Sequence, residues 1–179
     1  KLELVEHDGE FIIKADELPL MSTRMHHSEV ELARVACGNL TRGSNVMIGG
    51  LGLGYTLRSA LDLLPVNGTV LQVELVPEVI EWNNGPVAEF NGNPLNDPRT
   101  RLLLKDVAEV IKNSRNRFDA ILLDVDNGPS PLVDERNGWL YTDAGLQAIR
   151  TALKNGATVA IWSANDEPKF PARLRRNGF

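Results

Sequence analysis

Four acidic residues fall where short apolar runs end. Glu74 follows Thr69 to Val73, Asp106 stands just past Arg101 to Leu104, and Asp124 follows Phe118 to Leu123, with Asp126 close behind. A carboxylate at such a tip can accept a pair of hydroxyls, meet an exocyclic amine, hold a cation or take a proton from it. One further stretch belongs with them: NVMIGGLGLG, residues 45–54, where Gly49, Gly50, Gly52 and Gly54 follow the apolar run Val46 to Ile48. Glycines there permit positive φ and let a ligand approach the backbone, and the helix that follows offers its N-terminus. The spacing is G-x-G-x-G, not the dinucleotide G-x-G-x-x-G, which argues for a single nucleoside ligand over NAD. Without a ligand the same run would be only a tight strand-to-helix connection.

Each acid has a bland reading beside the functional one. Glu74 stands about twenty residues past the glycines, where an acid can accept both ribose hydroxyls, or it is simply an acid at the start of the helix opened by Pro77. Asp106 can meet an adenine amino group with help from the backbone of Val107, yet Asp106 with Glu109 also has the capping-box pattern. Asp124 and Asp126 flank Val125 and can hold or deprotonate a cation, or can bond their own backbone ahead of Gly128-Pro129. Trp139, Tyr141 and Trp162 read as core or pocket rim, and no Ser/His/Asp arrangement is credible. His26 and His27 lack partners at metal-ligand spacing, so no metal is expected.

These residues need a scaffold. Residues 2–5 and 10–14 flank His7-Asp8-Gly9, a hairpin signal, and Glu17 to Thr23 reads as loop. Ser28 is the expected N-cap of a helix ending at Gly38. Strands and helices then alternate: a helix over 55–64 stopped by Pro65, one from Pro77 through Trp82, mostly loop over 83–98, a helix over 106–113, one over 143–153, and a last strand over 157–162. A final helix is expected after it. Such alternation predicts parallel strands in an open α/β sheet, with ligands bound outside the carboxyl ends of the strands.

Composition narrows the classes. The 179 residues suit a substantial core, the formal charge is −5, and no long basic run favours nucleic acid or an anionic membrane. Cys37 is the sole cysteine and sits on an apolar helical pattern, so it is expected to be buried and inert. No apolar run is long enough to span a bilayer and no signal peptide is recognised, so a cytoplasmic protein is expected.

The segments IGG at 48–50, VELVPEVIEW at 73–82, DPR at 97–99, KDVAEV at 105–110, ILLDVDNGP at 121–129 and LYTDAGLQAIRTALKNGA at 140–157 together resemble the polyamine aminopropyltransferase family, the spermidine synthases. The likeness covers residues 26–163 and an N-terminal hairpin. It implies a Rossmann-like, methyltransferase-type parallel sheet flanked by helices, with residues 1–25 as hairpin and loop and 26–179 as a single nucleoside-binding unit. It also implies S-adenosylmethionine or decarboxylated S-adenosylmethionine as co-substrate, a small cationic amine such as putrescine as acceptor, and a homodimer. By that analogy Glu74 holds the ribose, Asp106 the adenine, and Asp124 faces the acceptor amine; the residues themselves add Gly49, Gly50, Gly52, Gly54 and Val107 to the nucleoside site and Asp126 as a second candidate acid at the amine. Three departures stand out: the glycine loop carries Leu51 and Leu53 but no acid; Asp124-Val125-Asp126 shifts the second acid of the family's D-S-S-D; and MSTRMHHSE, residues 21–29, replaces a Gln-containing segment. The last two strands of such a sheet are not found. The departures keep two alternatives open: an S-adenosylmethionine-dependent methyltransferase, or a non-catalytic nucleoside-binding relative.

Overall fold

The computed structural model describes residues 1–125 and 135–179. It opens with a three-stranded antiparallel sheet of β1 (Leu2–His7), β2 (Glu10–Ala15) and β3 (Leu18–Ser22). Asp8 and Gly9 join β1 to β2 with φ of 48° and 71°, and His7 pairs with Glu10. Two central residues at positive φ make the tight hairpin turn whose twist matches the strands. The expected loop over 17–23 is instead mostly β3. Asp16 and Glu17 also take positive φ, 46° and 70°, between paired Ala15 and Leu18, so a second tight turn forms without glycine. Pro19 is tolerated because β3 is an edge strand and the register shifts beside its partner Lys14.

The second sheet has β4 (Asn45–Gly49), β5 (Thr69–Glu74), β6 (Thr100–Leu104), β7 (Phe118–Leu123) and β8 (Leu153–Ile161), all parallel, in the order β6-β5-β4-β7-β8. The chain winds outward from β4 to either side, which makes the end of β4 the switch point. The helices are α1 (His27–Cys37), α2 (Tyr55–Leu63), α3 (Pro77–Asn84), the single turn α4 (Ala88–Asn91), α5 (Val107–Lys112), α6 (Asp143–Ala152) and α7 (Phe170–Arg176).

Alternation along β4 divides the core. Val46 and Ile48 pack with Leu32, Leu57, Leu61 and Val79 from α1, α2 and α3, while Met47 packs with Val107, Ile111, Leu146 and Ile149 from α5 and α6. Both faces are therefore covered, as a parallel sheet requires. Cys37 is buried in the first layer, where loss of solvent pushes its thiol up to about 12. A third cluster of Ile13, Leu53, Tyr55 and Val87 binds the antiparallel sheet to the glycine-rich end of the parallel one.

Several boundaries differ from expectation; the stretch expected as mostly loop over 83–98 holds the end of α3, α4 and a 3-10 turn at Pro94–Asn96. Ser28 is not the N-cap: α1 begins at His27 behind His26, and the Ser28 hydroxyl donates to Glu29 Oε2 at 2.5 Å. The helix expected to reach Leu153 stops at Ala152, and β8 begins at once. The last strand, expected over 157–162, runs from Leu153 to Ile161 and includes Gly156, at φ 75°, where the pairing jumps from Phe118–Leu153 to Ala120–Thr158. Among the described residues no helix is long and apolar enough to cross a membrane.

Candidate functional site

The strand order sets the site out in a row. At the carboxyl ends stand Asp106 after β6, Glu74 closing β5, the glycines after β4, Asp124 after β7 and Trp162 after β8. Adjacent strands lie ~4.8 Å apart, so five ends span roughly 19 Å. A cavity of about 240 Å³ runs along this row, lined by Lys105, Asp106, Val107, Glu74, Gly50, Gly52, Asp124, Val125 and Trp162. Its opposite wall is Leu2, Ile13, Leu20 and Met21 of the antiparallel sheet, with Glu29 of α1.

The glycines are required by close approach. Gly50 has φ 87°, and a Cβ there would sit 2.0 Å from the Asp124 carbonyl oxygen. Gly49 is pressed against Val107, Gly52 against the Met21 sulfur, at 2.6 and 2.7 Å from where a Cβ would lie. Leu51 and Leu53 do not fill the cavity. They are 2% and 3% exposed and pack into the first and third core clusters, so the loop turns its backbone to the cavity and its side chains to the core.

Glu74 is buried at the cavity wall. Its Oε1 accepts from Leu75 N at 2.7 Å and Val76 N at 2.8 Å, and its Oε2 accepts from Leu51 N at 2.8 Å. Oε2 keeps a lone pair beyond that bond. Asp106 is the N-cap of α5, its Oδ1 accepting from Ala108 N at 2.7 Å, while Glu109 turns to Lys105 at 3.1 Å and does not close a capping box. Val107 lies beside Asp106 in the cavity wall.

Asp124 is tied to the loop by its own N–H, which donates to Gly49 O at 2.8 Å. Thr56 Oγ1, in the first turn of α2, donates to Asp124 Oδ2 at 2.6 Å. Burial dominates its titration and pushes the carboxyl up to about 6; the Thr56 bond opposes this, and the negative Glu29 adds to it. Such a carboxyl is largely ionised at neutral pH yet holds a proton better than an exposed one. Asp126 lies outside the described residues.

Several residues here escaped the sequence reading. Glu29 was legible only as part of a capping pattern, Met21 lay in the supposed loop, and Thr56 was one position on a helix. Of the aromatics, Trp162 lines the cavity, Tyr141 is core, and Trp139 carries the Lys112 ammonium 4.0 Å above its ring. His26 stacks on Tyr55 at 4.0 Å.

Comparison with known proteins adds the family. The spermine/spermidine synthase domain model matches residues 24–169, so the chain belongs to that family. A polyamine aminopropyltransferase of Saccharolobus islandicus is 31% identical over 126 residues, 70% of this chain and 40% of the relative. One of Sulfurisphaera tokodaii is 25% identical over 118 residues, 66% of this chain and 38% of the relative. The chain thus spans about two fifths of the length of these relatives. Among solved structures, a spermidine synthase in complex with the transition-state analogue AdoDATO superposes with a TM-score of 0.74 at 22% identity, over 93% of this chain and 57% of that one. The spermidine synthase of Thermotoga maritima gives 0.71 at 21%, over 93% and 54%. A putative methyltransferase from Thermoplasma acidophilum gives 0.52 at 19%, over 77% and 50%. At these identities the structures bear on the fold alone.

Proposed function

We propose that the chain binds an S-adenosyl nucleoside along the row of strand ends and transfers its aminopropyl group to a polyamine such as putrescine. One observation carries this reading: Asp106, Glu74, the glycine loop and Asp124 share one rim and one cavity, in that order. The order matches the parts of such a donor. Adenine lies at β6, with its amino group on Asp106 and a ring nitrogen on the Val107 amide. Ribose lies at β5 against the remaining acceptor capacity of Glu74. The sulfonium sits above Gly50 and Gly52, and the acceptor amine approaches over β7 and β8.

In the reaction the amine nitrogen attacks the methylene carbon beside sulfur. A C–N bond forms, the C–S bond breaks, and its electron pair stays on sulfur as a neutral thioether. The ammonium proton passes to the Asp124 oxygen that Thr56 does not hold. Asp126, two residues further along the chain, is proposed to act on the same amine. The sulfonium activates the carbon, so the protein's task is to align the partners and accept the proton. A homodimer in the cytoplasm, using no metal, belongs to the same proposal.

A second reading, methyl transfer from S-adenosylmethionine, has its own observation: over Gly52 the facing group is the uncharged Met21 thioether. Calorimetric titration of methylthioadenosine and both donors, followed by a putrescine turnover assay, tests the two. Methylthioadenosine binding with turnover of the decarboxylated donor is the expected result. Tighter binding of the carboxylated donor with no putrescine product overturns the first reading in favour of the second. Tight nucleoside binding without transfer to any amine or methyl acceptor leaves a non-catalytic binding domain.

A further inference from the structure

The loop between Gly50 and Gly54 is held from behind by three buried carboxamides. Gln72 Nε2 donates to Gly50 O at 2.8 Å, Asn83 Nδ2 to Gly52 O at 2.8 Å, and Asn91 Nδ2 to Leu53 O at 2.9 Å. Gln72 and Asn83 have no exposure and Asn91 has 2%, and none of the three lines the cavity. The two asparagines form one unit, because Asn91 Nδ2 also donates to Asn83 Oδ1 at 2.7 Å. Asn83 is anchored on α3 through Val79 O at 2.9 Å, and Asn91 on the following turn through Asn93 N at 2.9 Å. A Cβ on Gly54 would lie 2.6 Å from both amides.

A trans peptide is planar, so fixing its carbonyl fixes its N–H on the opposite side. Gln72 on Gly50 O aims the Leu51 N–H at Glu74 Oε2, the acid of the cavity wall. Asn91 on Leu53 O aims the Gly54 N–H at Leu51 O, at 2.8 Å. Asn83 on Gly52 O turns the Leu53 N–H the other way. The carbonyl lone pairs that would repel ribose oxygens are thereby taken up by groups outside the cavity. Gln72 Oε1 is buried with no hydrogen-bond partner among the described residues. A buried amide left half-satisfied is uncommon in native proteins and calls for a reason; here its donor end sets the loop.

We infer that Gln72, Asn83 and Asn91 are positioning residues that preset the glycine loop for the nucleoside without touching it. This rests on the reading that the loop holds the nucleoside. The probe is 5′-methylthioadenosine, which lacks the charged tail of either donor, titrated into Asn83→Ala, Asn91→Ala, the double variant and Asn91→Asp, which keeps the shape but removes the donor. In variants with wild-type circular dichroism at the assay temperature, affinity falls by about tenfold or more, because an unheld carbonyl lets the loop relax. The double variant is no weaker than the worse single by more than about threefold, since the pair shares one bond. A purely structural role would lower the melting temperature and leave the affinity of folded protein within about twofold, and that result overturns the inference.

A second measurement needs no variant. In the ligand-free protein the side-chain amide protons of Asn83 and Asn91 and the Gly54 N–H exchange slowly with solvent. Exchange at the rate of exposed amides overturns the inference even if the variants fail to fold. If the wild type does not bind methylthioadenosine, the functional reading falls, and the presetting of the loop is decided by the exchange experiment alone.

Discussion

Asp124 sits between opposing influences: burial and Glu29 favour its neutral form, and the Thr56 hydroxyl favours the ion. The folded protein holds this proton up to about pH 6, whereas the carboxyl ordinarily releases it near 3.8. Asp124 therefore adds stability below about pH 4, and that contribution is lost as pH rises through about 6. Asp124→Asn removes the pH-dependent part while keeping a partner for Thr56. The variant is expected to match wild type in chemical denaturation at pH 4 and to exceed it by ~1–3 kcal/mol at pH 8; equal stability at both would show that the carboxyl is not perturbed. The same change should cost ~10²-fold or more in transfer, the scale of a lost general base, with methylthioadenosine affinity within a few-fold. Glu29 acts through charge. In Glu29→Gln the acid limb of the rate–pH profile, expected near pH 6, should move down, because a negative neighbour that raised Asp124 is gone. An unmoved limb would detach either Glu29 from Asp124 or Asp124 from the proton transfer.

The loop and turn elements separate glycines that only bend the chain from glycines that admit a neighbour. Gly9 and Gly50 both have positive φ, 71° and 87°, but a Cβ on Gly9 meets nothing within 4 Å and one on Gly50 meets Asp124 O at 2.0 Å. Gly9→Ala should cost the backbone penalty alone, ~1–2 kcal/mol, and leave ligand affinity unchanged. Gly50→Ala must push β4 and β7 apart at the site; a loss of ~3 kcal/mol or more in denaturation, with nucleoside binding lost, is expected. Comparable costs would mean that the loop yields to the added methyl. The same contrast explains what was legible in the sequence. The Asp8-Gly9 turn and the glycine run announce themselves because positive φ selects glycine. The Asp16-Glu17 turn does not, because the pairing of Ala15 with Leu18 imposes its positive φ on residues that carry no such signal. Strand-ending acids were readable because apolar runs stop at them. Asn83 was not: it occupies the buried position one turn after Val79, and Asn91 lies in a stretch whose Asn, Gly and Pro read as loop.

At the scale of the molecule, the antiparallel sheet could be expected only as a hairpin needing something to pack against, since a lone hairpin is marginal. It packs on Leu53, Tyr55 and Val87, and its Leu2, Ile13, Leu20 and Met21, with Glu29 of α1, close a cavity whose facing wall carries Glu74, Asp106 and Asp124, with Lys105 the one cation among the described lining residues. Together with the net charge of −5, this makes a low-dielectric cleft of one dominant sign, which concentrates cationic ligands. Lys105 is itself paired with Glu109, so it does little to offset the acids across the cleft. Salt should expose the difference between ligands. Raising ionic strength from about 0.1 M to about 1 M shortens the screening length from ~10 Å, about two strand spacings, to ~3 Å, less than the ~4.8 Å between neighbouring strand ends. The KM for a dicationic acceptor such as putrescine is then expected to rise several-fold. The affinity for methylthioadenosine, which carries no charge, should stay within about twofold because its contacts are short-range hydrogen bonds and packing. Parallel titrations at the two salt concentrations check this. A diamine KM that ignores salt would mean the acceptor meets one neutralised carboxylate at close range, and the acid-lined cleft would lose its part in gathering the substrate.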